Sequence, residues 1–298
     1  MVRETGVWGL APIGIEDMTF NEAFRKGIEL LKNAGNEAPA LDAGVLLCSV
    51  ASCDRAFLYA HGTDELDGIL LERYVSMLER RAEGVPLQYL TGVQEFMSLS
   101  FSVGPGVLVP RQETELLVEM VIQWCQEYAQ NAAILDIGTG SGCIAVSLAY
   151  YLPDSNIMAV DKMPDAIAIA EKNAQSNGVA GRVRFIQSDL FGRLAGEKFD
   201  VIVSNPPYIR KGDISGLQKE VRCHEPAEAL DGGNDGLDFY RAIIKEAPGF
   251  LKRGGMLAFE TGYDQAGDVS LLMSDSFSSV KIMKDLSGID RVVSGIVC

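Results

Sequence analysis

The 298-residue chain is 47% hydrophobic and carries no low-complexity tract, so it is long enough for two domains around a large core. Its 41 Asp and Glu outnumber 26 Lys and Arg, a formal charge of −15 that disfavours sequence-independent grip on a phosphate backbone and leans towards a protein or small-molecule substrate. No apolar run reaches a membrane span, the start lacks a basic-then-apolar leader, six scattered cysteines form no C-x-x-C pair and two histidines cannot build a metal cluster, so the expectation is a cytoplasmic protein with reduced thiols, no metal and no membrane anchor.

Residues 1–17 show no periodicity and read as an N-terminal tail. Thr19-Phe-Asn-Glu22 is a capping box ahead of an apolar stripe at Phe20, Phe24, Ile28 and Leu31. Asn33 to Gly35 ends that helix, and Pro39 opens a second through Leu41, Val45, Leu46 and Val50. A short third helix is expected around Arg55–Ala60. A fourth, about Asp64–Glu83, places Leu66, Ile69, Leu70, Tyr74, Met77 and Leu78 on one face. Four amphipathic helices with no strand between them predict a small bundle over 18–92, closed after Pro86, with nothing catalytic in it.

Two extended runs, Val93–Met97 and Leu99–Val103, then Gly104-Pro105-Gly106 and Val107–Val109, predict a β-hairpin linker over 93–112. Pro110-Arg111-Gln112-Glu113-Thr114-Glu115 opens a helix with acids in its first turn, where its dipole favours them. From there the pattern alternates over 113–298. Strands are predicted at Ile134–Ile137, Ile157–Val160, Val183–Gln187, Val201–Val203, Met256–Phe259, Val280–Lys284 and Arg291–Val297. Helices are predicted at about 142–151, 164–177, 237–251 and 265–274, with Pro248 expected to end the third of these early. That alternation is the signature of an α/β, doubly wound, seven-stranded Rossmann-like sheet.

The first strand ends in Asp136-Ile-Gly138-Thr139-Gly140-Ser141-Gly142, a glycine turn leading into a helix, and Asp161 ends the next strand. Glycines allow a tight turn and close approach of a ligand, and an acid at that distance hydrogen-bonds ribose hydroxyls. The dinucleotide fingerprint would need a third glycine at 143, which is Cys143. Asp136 also suits an ammonium-bearing ligand better than a pyrophosphate. Both points favour S-adenosylmethionine over NAD. Asp189 is placed to accept from an adenine amino group, with Leu190 against the ring; on its own it reads equally well as a solvated carboxylate.

The fourth strand runs into Asn205-Pro206-Pro207-Tyr208. Each proline fixes its own φ, lacks an N–H and holds the preceding residue extended, so Asn205 sits at the carboxyl end of a strand with little conformational choice. The Asn205 side-chain oxygen and the Pro206 carbonyl could accept both N–H bonds of one planar –NH2 group, with the Tyr208 ring over its face. Taken alone, Asn-Pro-Pro is equally a surface turn.

Together these segments resemble the peptide-chain-release-factor N5-glutamine methyltransferases. The resemblance covers nearly the whole chain and is carried by Pro86–Gly92, Glu95-Phe96, Phe101–Val103, Val109–Glu115, Asp136–Gly142, Asn205–Tyr208, Glu225-Pro226 and Asp231–Gly236. Asn-Pro-Pro-Tyr by itself is shared with adenine and cytosine amino methyltransferases; the hairpin with Pro-Arg-x-Glu-Thr-Glu is more specific. The resemblance implies an S-adenosylmethionine-dependent methyltransferase domain over 113–298. Cofactor contacts would fall on Gly138, Thr139, Gly140, Ser141, Gly142, Asp161, Asp189, Leu190 and Asn205. A glutamine would be held by Asn205, Pro206, Pro207 and Tyr208. The substrate would be the Gly-Gly-Gln loop of class I release factors, with 18–92 helping to grip that protein and no direct nucleic-acid binding. Gln112 stands where the family usually has proline, and His224 where a tyrosine is common before Glu-Pro. The rival readings are amino methylation of a ribosomal-protein glutamine or of adenine or cytosine, a cofactor-binding protein without turnover, and, more distantly, an NAD-dependent dehydrogenase.

Overall fold

The computed structural model describes residues 18–298, and the tail expected over 1–17 lies outside them. The chain divides into two compact units. One holds the residues up to Gly92 together with Lys219–His224; the other holds Val93–Gln218 and Glu225–Cys298. The segment Lys219–His224, read from the sequence as part of 113–298, therefore groups with the first unit and forms a short helix there.

In the first unit the Thr19 capping box forms as expected. Glu22 N donates to Thr19 Oγ1, and Thr19 N donates to Glu22 Oε2 at 2.9 Å. Helices Phe20–Asn33, Pro39–Ala51, Arg55–Ala60 and Gly68–Ala82 follow, and a further one, Leu87–Thr91, was not foreseen. The expectation of no strand is corrected: Met18–Thr19 pairs antiparallel with Glu65–Leu66. The fourth helix accordingly starts late, at Gly68, where the Asp67 carboxylate accepts from Ile69 N and Leu70 N. That start also turns Ile69 outward and buries Leu71 with Tyr74 and Leu78. Leu41 is likewise half exposed, and Leu47 takes a core place beside Leu46 and Val50. Arg81 ties the unit together, reaching the Asp42 carboxylate at 2.7 Å and Glu220 at 2.6 Å.

In the second unit seven strands form one sheet: β1 (Ala133–Ile137), β2 (Asn156–Asp161), β3 (Val183–Gln187), β4 (Phe199–Ser204), β5 (Leu251–Glu260), β6 (Phe277–Lys284) and β7 (Asp290–Val297). Their spatial order is β6-β7-β5-β4-β1-β2-β3. The first five run parallel, and β7 pairs antiparallel with both β5 and β6. Both faces of the central strands are buried. Val201 and Val203 join the apolar cluster under helices Glu113–Tyr128 and Cys143–Tyr151, while Ile202 joins the cluster under Asp238–Phe250 and Ala266–Met273. Pro248 does not end the third helix early; it sits inside Asp238–Phe250, close enough to the last turn that the missing N–H removes one terminal bond. The chain leaves β1 towards β2 on one side and returns as β4 on the other, which creates a switch point at the β1/β4 carboxyl ends.

The expected hairpin is Val93–Phe96 with Leu99–Ser102, turning on Met97 and Ser98 at φ 51° and 56°. Val107–Val109 follows the hairpin as a loop with Val107 and Val109 buried. Asn173, fully buried, fastens the hairpin: it accepts from Ser102 N at 2.7 Å and donates to the carbonyls of Ser102 and Ser141 at 3.0 and 2.8 Å.

Candidate active site

A cavity of about 300 Å³ opens at the switch point, where open α/β sheets hold their ligands. Gly138, Gly140, Asp161, Leu190, Asn205 and Pro206 all line it, so residues from β1, β2 and β4 and the loop after β3 converge on one space. Gly106–Leu108, from the loop after the hairpin, supply part of the wall.

The glycine turn is built as its sequence demands. Gly138, Gly140 and Gly142 take φ of 74°, 55° and 81°, values that oppose any side chain with a Cβ. A Cβ added at Gly138 or Gly140 would meet nothing within 4 Å, whereas one at Gly142 would lie 2.9 Å from Ala170 Cβ. The first two glycines thus leave the cavity open, and the third lets two helices pack. Gly138 N and Thr139 N both donate to the Val160 carbonyl, at 2.9 and 3.0 Å. Asp136 lies beneath this turn, fully buried. Its Oδ2 accepts from Thr139 Oγ1 at 2.6 Å, and its Oδ1 has no partner. Burial pushes its carboxyl from 3.8 up to about 7, against the pull of Thr139.

Asp161 is already organised. Its Oδ2 accepts from Gly140 N and its Oδ1 from Met163 N, each at 2.9 Å. A carboxylate has about four lone-pair sites, so two remain for hydroxyl donors. Asp189 stands at the rim, paired at 3.5 Å with Lys162. Leu190 adopts a left-handed φ of 45°, held by Ser188 Oγ donating to its carbonyl at 3.1 Å.

Beyond β4, Ile209 N donates to Leu230 O and Gly232 N to Ile209 O, which seats the Asn-Pro-Pro-Tyr segment against the Asp231–Gly236 loop. A Cβ on Gly232 would come within 2.8 Å of the Pro207 carbonyl oxygen, so glycine is required for this approach. Arg111 Nη2 reaches both oxygens of the buried Glu225, at 2.7 and 2.8 Å, fixing the loop after the hairpin. The Asn205 amide nitrogen donates to Thr114 Oγ1 at 3.2 Å, and Thr114 donates in turn to Glu260 Oε2 at 2.5 Å. Burial raises Glu260 from 4.5 to about 7, opposed by the Thr114 bond and by Arg291.

The geometry has counterparts among known proteins. Residues 22–92 match the family model described as the PrmC N-terminal domain, and residues 112–225 match the methyltransferase small domain. The release factor glutamine methyltransferase of Moorella thermoacetica is 44% identical over 279 residues, covering 92% of this chain and 97% of that protein. The one from Geobacter sulfurreducens is 44% identical over 266 residues, covering 89% and 92%. The chain belongs to the release factor glutamine methyltransferase family. Among solved structures, the 16S rRNA N2 G1207 methyltransferase of T. thermophilus, in complex with AdoMet and guanosine, aligns at a TM-score of 0.50 with 17% identity. That match covers 69% of this chain and 50% of the other, and it shows the shared methyltransferase fold.

For a member of this family the cavity should hold S-adenosylmethionine, and the residues present fit it. Two open glycines, the poised Asp161 carboxylate, the apolar wall of Leu190, Ala166 and Ile243 and the rim Asp189 match a nucleoside carrying a charged tail. Five residues singled out in the sequence do not line the cavity, among them Asp136, expected to face an ammonium group and instead fully buried beneath the turn. Thr139 and Ser141 are buried behind the turn, Gly142 faces Ala170, and Tyr208 packs on the apolar cluster behind Pro207. Burial pushes the Tyr208 phenol up to about 12, so it stays protonated. Sequence reasoning missed Glu260, Thr114 as a neighbour of Asn205, and Gln265. One signal was available: an acid ending the otherwise apolar run Met256–Phe259 is costly to bury unless it has a specific partner.

Proposed function

We propose that the protein transfers a methyl group from S-adenosylmethionine to the side-chain amide nitrogen of the glutamine in the Gly-Gly-Gln motif of class I release factors, modulating translation termination in the cytoplasm. The observation that carries this reading is that Asn205 and Pro206 open onto the same cavity as Gly138, Gly140 and Asp161. An amine acceptor site and a nucleoside site share one space, and family membership names the amide.

Asp161 would hold the ribose, Gly138 and Gly140 would admit the tail, and Asp189 and Leu190 would meet the adenine. Thr139, Ser141 and Gly142 act by shaping the turn. When bound, S-adenosylmethionine supplies an electrophilic methyl carbon. Asn205 Oδ1 and the Pro206 carbonyl accept the two amide N–H bonds, aiming the nitrogen lone pair along the line of transfer. An amide nitrogen is a poor nucleophile, so orientation is the main contribution, and it can supply roughly 7–11 kcal/mol in near-attack geometry. The same acceptors stabilise positive charge developing on nitrogen, and one amide proton leaves to water as the new N–C bond replaces the donor's S–C bond. Tyr208 packs on the apolar cluster and holds this kink from behind, while Pro207, which lines the cavity beside Pro206, stiffens it and borders the substrate amide. Residues 18–92 would grip the protein substrate, with 93–112 as connecting hairpin and 113–298 as catalytic domain.

Methyl transfer from labelled cofactor to purified release factor tests the reading. Label should appear on the Gly-Gly-Gln peptide and vanish when that glutamine is changed. Label on a ribosomal protein, rRNA or DNA instead would overturn it.

A further inference from the structure

Behind Asn205, on the side away from the cavity, lies a polar chain that the transfer reaction does not touch. Asn205 Nδ2 donates to Thr114 Oγ1 at 3.2 Å, and Thr114 Oγ1 donates to Glu260 Oε2 at 2.5 Å. Thr114 and Glu260 are 2% and 1% exposed, so water does not substitute for either partner. We propose that Thr114 and Glu260 are positioning residues that decide which edge of the Asn205 carboxamide faces the substrate. The inference rests on the acceptor role proposed for Asn205.

The two ends of a carboxamide have nearly the same shape and opposite hydrogen-bonding character. With its oxygen towards the cavity, Asn205 accepts from a substrate amide. Flipped, it would set donor against donor. Nothing in the backbone of the Asn-Pro-Pro kink selects between the two, because the prolines constrain φ and leave the outer side-chain torsion alone. Thr114 does select. Its hydroxyl has one proton, and with Glu260 ionised the short bond to that carboxylate uses it, so towards Asn205 the oxygen accepts. The amide nitrogen must therefore face Thr114, and the planar group turns Oδ1 the other way.

Both anchors are rigid. Glu260 ends β5 opposite Val292, with its carbonyl accepting from Tyr240 Oη at 2.9 Å. Thr114 sits in the first turn of Glu113–Tyr128, its N–H on the Arg111 carbonyl at 3.2 Å. The carboxyl also takes a hydrogen bond from the Asn205 side chain, which favours the same amide edge as Thr114 does; it is influenced as well by Arg291 and Glu113, and it acts on Tyr208, Tyr240 and Cys143. Among these, Arg291, Glu113, Tyr208, Tyr240 and Cys143 make no bond in the hydroxyl relay.

The test compares Thr114→Val, which keeps shape and loses the hydroxyl, with Thr114→Ser, which keeps the hydroxyl; Thr114→Ala runs in parallel should valine pack poorly. Thr114→Val should lower kcat at least about tenfold while cofactor Kd by calorimetry stays within about twofold, and Thr114→Ser should recover most of the loss. In cofactor-free protein labelled with ¹⁵N-asparagine, the Asn205 side-chain NH2 pair is assigned as the one missing from Asn205→Ala. It should shift or broaden in Thr114→Val and Thr114→Ala and stay in place in Thr114→Ser. Unchanged Asn205 signals, undiminished kcat in the valine and alanine variants, or a serine variant that binds cofactor and fails to recover would each overturn the proposal. If wild-type protein does not methylate release factor, the functional reading fails instead, and the NMR comparison still decides whether the relay holds the amide.

Discussion

Gln265 Nε2 donates to the Tyr208 carbonyl at 2.9 Å and to the Gly236 carbonyl at 3.3 Å, while its Oε1 accepts from Gly262 N at 3.1 Å. One buried amide thus ties the end of the Asn-Pro-Pro-Tyr kink to two loops far from it in sequence. Rigidity of the proposed acceptors is therefore a tertiary property. Gln265→Leu would leave the Tyr208 and Gly236 carbonyls without their side-chain donor, at a cost of about 1–3 kcal/mol each. Thermal unfolding should occur at lower temperature, and kcat should fall more than cofactor affinity. A variant as stable and active as wild type would show that the kink holds itself.

Asn205 is the residue on which the acceptor geometry turns. Asn205→Ala removes the side-chain acceptor and leaves the glycine turn and Asp161 intact. Turnover should drop by about 10²–10³, the range seen when one preorganised group at a developing charge is removed. Cofactor Kd should move less than about fivefold, as measured by calorimetry. Near-normal turnover would remove Asn205 from the reaction.

Asp161 should show the opposite split. Its two oxygens hold Gly140 N and Met163 N while keeping lone pairs for a ribose. In Asp161→Asn an NH2 group must face one of those backbone donors, so the turn and the sugar site are both disturbed. Cofactor Kd should rise about 10–100-fold, the worth of one or two charge-assisted bonds. Affinity that is unaltered would place the ribose elsewhere.

Asp136 and Glu260 make stability depend on pH. Burial raises the first from 3.8 and the second from 4.5, each to about 7. Folded protein therefore holds these protons more tightly than unfolded protein does. The stabilisation is fully present below the unfolded values and is lost as pH rises through about 7. Between about pH 5 and pH 8 the cofactor-free protein should lose melting temperature, and Asp136→Asn and Glu260→Gln should each flatten that slope. A slope that neither variant changes would mean both carboxyls ionise at ordinary values in the folded chain.

Much of the second unit was legible because its signals are local. A strand buried on both faces needs an unbroken β-branched run, as at Val201–Val203, and a turn at positive φ needs glycine, as at Gly138 and Gly140. All seven strands fell within a few residues of their expected places, and so did the capping box at Thr19. The misses were non-local. Glu65 and Leu66 are helix-compatible residues drawn into a strand by Met18 and Thr19, some 46 positions earlier in the chain. That pairing set the helix start at Gly68 and decided that Leu71 faces inward where Ile69 does not.

The sequence by itself determined the alternation of strands and helices, the glycine turn, the acid at Asp161 and the proline-stiffened kink after β4, because each depends on dihedral preference or periodicity within a short window. Only the tertiary structure decided which groups stand behind that kink. Thr114 lies 91 positions from Asn205, Glu260 146 from Thr114, and Gln265 57 from Tyr208. A hydrogen bond across such separations leaves no periodic trace. It exists because a strand end and a helix start meet behind the half-buried Asn205 amide, where the buried hydroxyl and carboxyl must each find a partner.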